Sequence, residues 1–394
     1  MTANRLLVID DDADICEFVS QVARDANYEV VSTAHFSEFK RLYRKFNPTI
    51  VITDLAMPNI DGVELLRFLR AEKSKTEIIL MSGMDKKVLN SAKQVGFEHG
   101  LNMKGVLQKP IMIEELESLL AAPSYFAGSI TVHELDAAIS KGELVVHYQP
   151  KVNLRSSANG SLREVEALVR WQHPVHGLLS PDRFLLAIQE TGLMLPLTRA
   201  VVTSACRQIR KWSEFGKTMC VAVNIAPQLL TNLTLPDEIA SLAEQNDVET
   251  SQIIIEITES GVMEDTARAM DILTRFRLKG FRLSLDDFGT GFSSLIHLYR
   301  LPFVELKIDQ SFVRDVGASE EARVIVRATT EMAHRLNLSV CAEGVESEGD
   351  LNFLLLAGCD KAQGYFISRP IAGEKIVNFA FAGMPDPEPL RDRA

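Results

Sequence analysis

The sequence predicts two α/β domains in tandem, an open doubly wound parallel sheet followed by a (β/α)8 barrel. Short β-branched runs alternate with amphipathic helical stretches along most of the 394 residues, which is typical of βαβ units. This alternation stops at AAPSYFAGS, residues 121–129, where small residues, Pro and Gly show no periodicity. We therefore predict domains at 1–121 and 132–383, a linker at 122–131, and a disordered tail at the Pro-rich, charged residues 384–394.

The first domain contains five short apolar runs that read as strands, each followed by a stretch with helical spacing. Five βα units predict a parallel sheet with helices on both faces. The predicted strands are residues 6–10, 28–31, 50–54, 77–82 and 105–108.

The second domain continues the alternation through eight apolar runs over about 250 residues, the size and strand number of a (β/α)8 barrel. From the runs alone we expect eight parallel strands. They are residues 144–152, 165–171, 221–225, 253–258, 282–287, 303–309, 338–345 and 361–366.

Composition excludes several classes of protein. The 42 basic and 53 acidic residues give a net charge of −11, and no basic helix-turn-helix is present, so a DNA-binding role is not expected. No apolar stretch approaches the ~18 residues of a membrane helix. The first apolar run ends in three aspartates rather than a cleavage site, so we expect a cytoplasmic protein without membrane insertion. The five cysteines are scattered, as free buried thiols would be.

Polar residues follow the predicted strands of the first domain. Asp10 and Asp11 close the first strand, Asp54 the third and Ser82 the fourth, and Lys109 follows the fifth. Because the carboxyl ends of parallel strands share one edge, these groups should meet there. A single aspartate at a strand end is most simply a turn former, but the set predicts a Mg²⁺ pocket. A lysine and a hydroxyl beside one carboxylate would also stabilise the charge added by phosphorylation.

The strand ends of the second domain carry polar residues inside apolar runs, where an unpaired charge is costly. Five carboxylates without His or Cys predict one or two hard cations such as Mg²⁺ or Mn²⁺, and a two-metal site favours phosphoester hydrolysis. The glycines of DDFGTGFSSL, residues 286–295, predict a movable loop over the site. For His173 and His176 we expect a structural role. The strand-end residues are Glu166, Asn224, Glu256, Asp286, Asp287, Lys307, Glu343 and Gln363.

The motifs LLVIDDD, ITDLAMPNIDG, LMSG and LQKP make the first domain resemble the receiver domains of two-component response regulators, which have a flavodoxin-like fold. The resemblance implies a cognate sensor histidine kinase or phosphotransfer protein as partner. The sequence departs from the receiver family at Val106, where the family usually has an aromatic residue that turns inward. The implied roles are phosphoacceptor for Asp54, Mg²⁺ binding for Asp10 and Asp11, and switch residues for Ser82 and Lys109.

The second domain resembles the EAL domain, a family that hydrolyses cyclic di-GMP to linear pGpG. The matching motifs are YQPKV, EALVRW, NIAPQLL, EITES, DDFGTGFSSL, ELKIDQSF, AEGVE and QGYFISRP. The resemblance implies a modified TIM barrel whose first strand, residues 144–152, is reversed. It also suggests a homo-oligomer, namely a dimer.

The EAL resemblance assigns a role to each candidate residue. Metal ligands are Glu166, Asn224, Glu256, Asp286 and Asp287. Lys307 contacts the attacking water, and Glu343 is a metal-site carboxylate or a general base. The dinucleotide is lined by Gln149, Leu168, Arg170 and Gln363, while Glu259 anchors the glycine loop and Glu346 supports the site.

Together these features predict a phosphorylation-regulated cyclic di-GMP phosphodiesterase, with two Mg²⁺ or Mn²⁺ ions in the barrel and Mg²⁺ in the receiver. The alternative is a catalytically silent receptor that binds cyclic di-GMP and acts through a partner protein. Such receptors lose metal ligands or the glycine loop, and this sequence retains both.

Overall fold

The computed structural model describes residues 4–58, 60–84, 86–121, 131–155, 162–289 and 295–379. The chain forms two compact units, Met1–Ser129 and Ile130–Ala394. Most of the predicted linker, residues 122–130, and the predicted tail at 384–394 lie outside the described residues. The predicted domain limits therefore stay predictions.

The first unit contains seven strands among the described residues. They are β1 Arg5–Ile9, β2 Glu29–Thr33, β3 Ile50–Asp54, β4 Ala56–Met57, β5 Ile60–Asp61, β6 Glu77–Ser82 and β7 Asn102–Gln108. Five of them form a parallel sheet of order β2-β1-β3-β6-β7, which confirms the doubly wound fold, and β4 and β5 form a separate two-stranded ribbon after β3. The predicted strands are present with small shifts at their ends, the largest being the earlier start of β7.

Helices cover both faces of this sheet, because the inner strands are apolar on both sides. In β1, Leu6 and Val8 lie in one core cluster, whereas Leu7 and Ile9 lie in the other. The Asp12 side chain accepts hydrogen bonds from two backbone N–H groups at the start of the first helix and so caps it. The helices are α1 Ala13–Asp25, α2 Phe36–Phe46, α3 Gly62–Ala71, α4 Lys86–Glu98 and α5 Ile113–Ala121.

The second unit is a closed eight-stranded barrel with two short added strands. The strands are β8 Leu144–Asn153, β9 Glu164–His173, β10 Gly177–Leu179, β11 Cys220–Asn224, β12 Ile253–Thr258, β13 Arg282–Phe288, β14 Glu305–Ile308, β15 Ser339–Ala342, β16 Lys361–Ala362 and β17 Ile371–Ala372. The barrel order is β9-β11-β12-β13-β14-β15-β16-β8, with β8 pairing back to β9. The short strands β10 and β17 add to it by antiparallel pairing.

The expectation of eight parallel strands is wrong at the first strand. β8 is antiparallel to both of its barrel neighbours, β9 and β16, as the EAL resemblance implied. An apolar run has the same period in both directions, so its direction cannot be read from the run itself.

The last barrel strand is also shorter than predicted, since it ends at Ala362 rather than extending to residue 366. The chain turns at Gly364, where a Cβ would collide with the Val345 backbone. Glycine therefore allows this close approach, and the turn places Gln363 directly after the strand.

Helices surround the barrel, and among the described residues none is both long and apolar enough to cross a membrane. They are α6 Val132–Ser140, α7 Leu185–Thr191, α8 Met194–Glu214, α9 Leu235–Gln245, α10 Glu259–Glu264, α11 Thr266–Leu278, α12 Leu295–Arg300, α13 Gln310–Arg314, α14 Glu320–Arg335, α15 Glu348–Leu356 and α16 Gly373–Ile376. Short 3-10 turns occur at Pro181–Arg183, Pro227–Thr231 and Thr250–Gln252.

Candidate functional site

The first unit brings three carboxylates together at the carboxyl edge of its sheet. Oxygens of Asp10, Asp11 and Asp54 lie within 4.8 Å of one another. Lys109 Nζ lies 2.7 Å from Asp10 Oδ2 and 2.6 Å from Asp54 Oδ2. Burial raises the pKa of Asp10 although Lys109 opposes the shift, and the two carboxylates raise the pKa of Lys109 against its own burial. With a single lysine for three acids, the donor set suits a hard divalent cation.

Backbone groups hold the free oxygens of this pocket in place. The N–H of Ala56 donates to Asp54 Oδ1 at 3.0 Å, and the N–H of Asp12 donates to Asp10 Oδ1 at 2.9 Å. Ser82 is buried on the neighbouring strand, and its hydroxyl accepts the N–H of Met84 at 3.1 Å. All five predicted polar residues thus lie at one edge, as parallel strands require.

Val106 lies on β7 and packs against the core of the first unit as a half-buried side chain. An aliphatic group of this size fills space without a ring that could turn between an outer and an inner position. The aromatic relay that the receiver resemblance implies therefore has no counterpart at this residue.

The barrel site is organised around Lys307, whose side chain is 1% exposed. Its Nζ lies 2.7 Å from Glu343 Oε1, 3.0 Å from Glu256 Oε2, 3.0 Å from Asp286 Oδ1 and 3.7 Å from Glu166 Oε2. Burial alone would lower the pKa of Lys307, but the surrounding carboxylates raise it well above its ordinary value. This lysine is consequently a fixed positive charge.

Two amides fix the orientation of Glu166. Asn224 Nδ2 donates to Glu166 Oε1 at 2.7 Å, and Gln363 Nε2 donates to Glu166 Oε2 at 2.6 Å. The Gln363 amide also donates to Gln149 Oε1 at 3.0 Å, and Gln149 donates in turn to the carbonyl of Ser368 at 3.0 Å. The polar residues predicted at separate strand ends therefore form one hydrogen-bonded network.

A bulge brings two consecutive aspartates to the same cluster. Successive side chains of a regular strand point to opposite faces. At Asp287 the backbone has a positive φ of 56°, and the pairing of β13 with β14 shifts register between Leu285 and Phe288. Oxygens of Asp286, Asp287 and Glu343 consequently lie within 4.8 Å of one another.

The electrostatics of this cluster fit a bound cation. Burial, followed by the neighbouring Asp286 charge, raises the pKa of Asp287 to about 6. Burial also raises the pKa of Glu343 to about 8, although Lys307 pulls it down. The carboxylate atoms of this cluster are all oxygens, which are the ligand atoms that Mg²⁺ and Mn²⁺ prefer.

Glu259 contacts the start of the predicted glycine loop. Its side chain is buried, and Oε2 accepts the N–H of Gly289 at 3.0 Å. Gly289 has φ of 97°, and a Cβ there would approach the Phe312 ring to 2.8 Å. The following residues of the loop, 290–294, lie outside the described residues.

The remaining candidates are half-buried or exposed. Glu346 is half-exposed and pairs with Arg314 at 2.8 Å. Leu168 and Arg170 follow Glu166 at two-residue intervals on β9 and are half-buried, and Arg170 donates to the carbonyl of Val169 at 2.8 Å.

His173 is the last residue of β9 rather than a loop residue, and its ring has a structural role. Its Nδ1 accepts two backbone N–H groups, from Val175 at 3.1 Å and from His176 at 3.2 Å. The ring therefore stabilises the turn after β9.

Sequence reasoning missed a second layer of charged residues inside the barrel, beneath the first. They are Lys151, Glu164, Arg282, Glu305 and Lys361. A signal was present, because most of them precede or follow a predicted site residue by two positions on the same strand, which places both on one face.

Two family models match the chain. The model described as "EAL domain" matches residues 132–370, and that described as "Response regulator receiver domain" matches residues 6–121.

Curated relatives include two proteins of Pseudomonas aeruginosa. "Bifunctional diguanylate cyclase/cyclic di-GMP phosphodiesterase MucR" is 39% identical over 247 residues, covering 62% of this chain and 36% of that protein. "Cyclic di-GMP phosphodiesterase RocR" is 32% identical over 341 residues, covering 84% of this chain and 86% of that protein. The chain spans about a third of the length of MucR and of the Escherichia coli relative "Cyclic di-GMP phosphodiesterase PdeR", to which it is 39% identical over 60% of its own length and 35% of PdeR.

A solved structure described as "PaMucR Phosphodiesterase, c-di-GMP complex" is similar to the second unit, with a TM-score of 0.59, 39% identity, and coverage of 62% of this chain and 98% of that one. The "EAL Enzyme Bd1971" in its "cAMP and cyclic-di-GMP bound form" also has a TM-score of 0.59, at 30% identity, covering 62% of this chain and 67% of that one.

Proposed function

The chain belongs to the EAL domain family and has a receiver domain ahead of its barrel, and from this premise we propose that it is a phosphorylation-regulated phosphodiesterase that hydrolyses cyclic di-GMP to linear pGpG. The single observation that carries the proposal is the acidic cluster around Lys307, whose Nζ lies within 3.0 Å of oxygens of Glu256, Asp286 and Glu343. The names of the relatives RocR and MucR support the choice of substrate.

Glu166, Asn224, Glu256, Asp286 and Asp287 would hold the metal ions. Bound Mg²⁺ or Mn²⁺ would polarise a phosphoryl oxygen and lower the pKa of a water molecule. The chain fixes these oxygens in advance, since Glu166 is held by two amides and Asp287 by the bulge. Such pre-organisation reduces the reorganisation needed during reaction.

Lys307 and Glu343 would act on the attacking water. Lys307 is charged and nearly inaccessible to solvent, so its Nζ can orient an oxygen without losing its proton. Glu343 contacts this Nζ through Oε1, a position that suits either a metal-site carboxylate or a general base. Glu343→Gln separates the two roles, because a general base leaves Mn²⁺ binding intact when it is removed, whereas a ligand does not.

Gln149, Leu168, Arg170 and Gln363 would line the dinucleotide. Arg170 is suited to a phosphate, because its planar fork of donors can bind two oxygens at once. Gln149 and Gln363 are already hydrogen-bonded to each other beside Glu166, so a nucleotide bound to them would lie next to the metal ligands.

Asp54 would receive the phosphoryl group from a sensor histidine kinase or a phosphotransfer protein. Lys109 Nζ already lies 2.6 Å from its Oδ2 and would compensate the added charge. A homodimer of the barrel is part of the same proposal.

The test is incubation of the purified full-length chain with cyclic di-GMP and Mg²⁺, with and without acetyl phosphate, followed by chromatography of the nucleotides. The proposal expects pGpG in both samples, at rates that differ. Binding of cyclic di-GMP without turnover in Mg²⁺ and in Mn²⁺ would overturn it and identify a silent receptor.

A further inference from the structure

The second layer of charged residues inside the barrel forms a continuous chain of ion pairs that ends at the acidic cluster around Lys307. At its base Arg282 Nη1 lies 2.8 Å from Glu164 Oε1, and Lys361 Nζ lies 2.5 Å from Glu164 Oε2. Lys361 is also 2.5 Å from Glu305 Oε2. These contacts alternate in sign and join four strands, β13, β9, β16 and β14.

Lys151 connects this chain of ion pairs to the acidic cluster around Lys307. It is fully buried on β8, and its Nζ lies 3.5 Å from Glu305 Oε1 and 2.5 Å from Glu256 Oε1. Because β8 and β12 are not neighbours in the barrel, the Lys151 side chain crosses the interior to reach Glu256.

The two carboxylates that Lys151 contacts depend on it to different extents. Glu305 has other partners, since Ser284 Oγ donates to its Oε1 at 3.0 Å and Lys361 lies at its Oε2. Glu256 has Lys307 at Oε2, 3.0 Å away, and Lys151 at Oε1. Removal of Lys151 would therefore leave Glu305 bonded and one oxygen of Glu256 without its cation.

A carboxylate held at a single oxygen can rotate, because the terminal torsion of Glu is broad. Held at both oxygens, its plane is fixed. Glu256 is fully buried, so water does not readily replace the missing partner.

We propose that Lys151 is a positioning residue that fixes the Glu256 carboxylate with Oε2 toward the cation cluster. The inference rests on the proposed function, since it assigns Glu256 as a metal ligand. A purely electrostatic role makes the opposite prediction, because removing a nearby positive charge would strengthen the binding of a cation.

The experiment compares Lys151→Met with Glu305→Gln in the full-length chain, using Mn²⁺ binding followed by electron paramagnetic resonance without substrate, and kcat and KM for cyclic di-GMP. Lys151→Met keeps the length of the side chain and removes its charge. We expect about 10- to 100-fold weaker Mn²⁺ binding in the barrel and a similar loss of kcat, with KM nearly unchanged. Glu305→Gln should leave both within about twofold of the wild type. The receiver contributes the same Mn²⁺ background to every variant.

Lys151→Met leaves the buried acids with one counter-charge fewer and is expected to unfold more readily. The double variant Lys151→Met/Glu305→Gln removes one charge of each sign and is therefore the decisive sample. If it is folded by circular dichroism and binds Mn²⁺ as tightly as the wild type or more tightly, the proposal is overturned. If Mn²⁺ binding weakens as in Lys151→Met, the proposal stands.

Failure of the proposed function would look different. In that case the wild type would bind Mn²⁺ without hydrolysing cyclic di-GMP, while the comparison of Mn²⁺ binding among the variants would still be readable.

Discussion

The two units hold the same chemistry, carboxylates around one lysine at the carboxyl ends of parallel strands, in very different surroundings. The Lys109 side chain is 19% exposed at the edge of an open sheet, whereas that of Lys307 is 1% exposed inside a closed barrel. An open sheet can present Asp54 to a phosphodonor. A closed barrel can hold more charge and exclude water from it.

The two clusters also differ in the number of carboxylates around the lysine. In the first unit two carboxylates contact Lys109, and an oxygen of a third, Asp11, lies within 4.8 Å of theirs. In the barrel four carboxylates lie within 3.7 Å of Lys307 Nζ, and one of them, Glu256, also contacts Lys151. The comparison teaches that a closed barrel gathers more buried carboxylates around one lysine than an open sheet edge does, which suits it to bind more divalent charge.

The largest effect that would test this contrast is expected from Glu166→Ala. The change removes a proposed metal ligand and takes away the acceptor of one N–H of Asn224 and one N–H of Gln363. Turnover should therefore fall by more than ~100-fold, the upper loss typical when only a hydrogen-bonding partner of a metal ligand is removed. Chromatographic measurement of pGpG gives the rate. Phosphorylation by acetyl phosphate serves as the control and should be unchanged. If Glu166→Ala hydrolysed cyclic di-GMP at the wild-type rate, the barrel cluster would not be the catalytic site.

Asp54→Asn tests the other site. It removes the proposed phosphoacceptor, so label from acetyl phosphate should no longer be incorporated, while basal hydrolysis should stay as in the wild type. In the wild type we expect phosphorylation to change the hydrolysis rate only modestly, because Val106 provides no ring to turn inward. The change should lie near the lower end of the about 5- to 150-fold range that is typical of coupling between two sites. Label that persists in Asp54→Asn would place the phosphoryl group elsewhere.

Glu259→Ala sharpens the contrast between the buried cluster and the loop beside it. Loss of the charge-assisted bond to the Gly289 N–H, worth about 1.5–3 kcal/mol, should free the backbone next to Asp287 and lower kcat by roughly tenfold. Glu259→Gln is the matched control, because its amide oxygen can still accept that bond. Equal kcat values for wild type and Glu259→Ala would contradict the anchor role.

The smallest effect is expected from Glu346→Ala. Its partner Arg314 is as exposed as Glu346 itself, and surface ion pairs contribute at most about 1 kcal/mol. Thermal unfolding should hardly change, and kcat should stay within about twofold of the wild type, as it should in Arg314→Ala. A loss beyond tenfold in Glu346→Ala alone would show that this residue supports the active site, as its motif predicts.

The sequence by itself determined both folds and nearly all the residues of the two clusters. Alternating apolar runs and helical stretches predict parallel sheets, and polar residues at strand ends must meet at one edge. For this reason Asp10, Asp54 and Lys109 could be placed together without coordinates, and so could Glu256 and Lys307.

Three features do not follow from the residue pattern and depend on the tertiary structure, although the resemblance to the EAL family implied the first of them. The reversal of β8 follows from how the barrel closes, because the strand pattern of residues 144–152 is the same in either direction. The bulge at Asp287 departs from strand periodicity, on which sequence reasoning depends. The contact between Lys151 and Glu256 joins residues 105 positions apart across the barrel interior, and only closure of the sheet brings the two charges into range of each other.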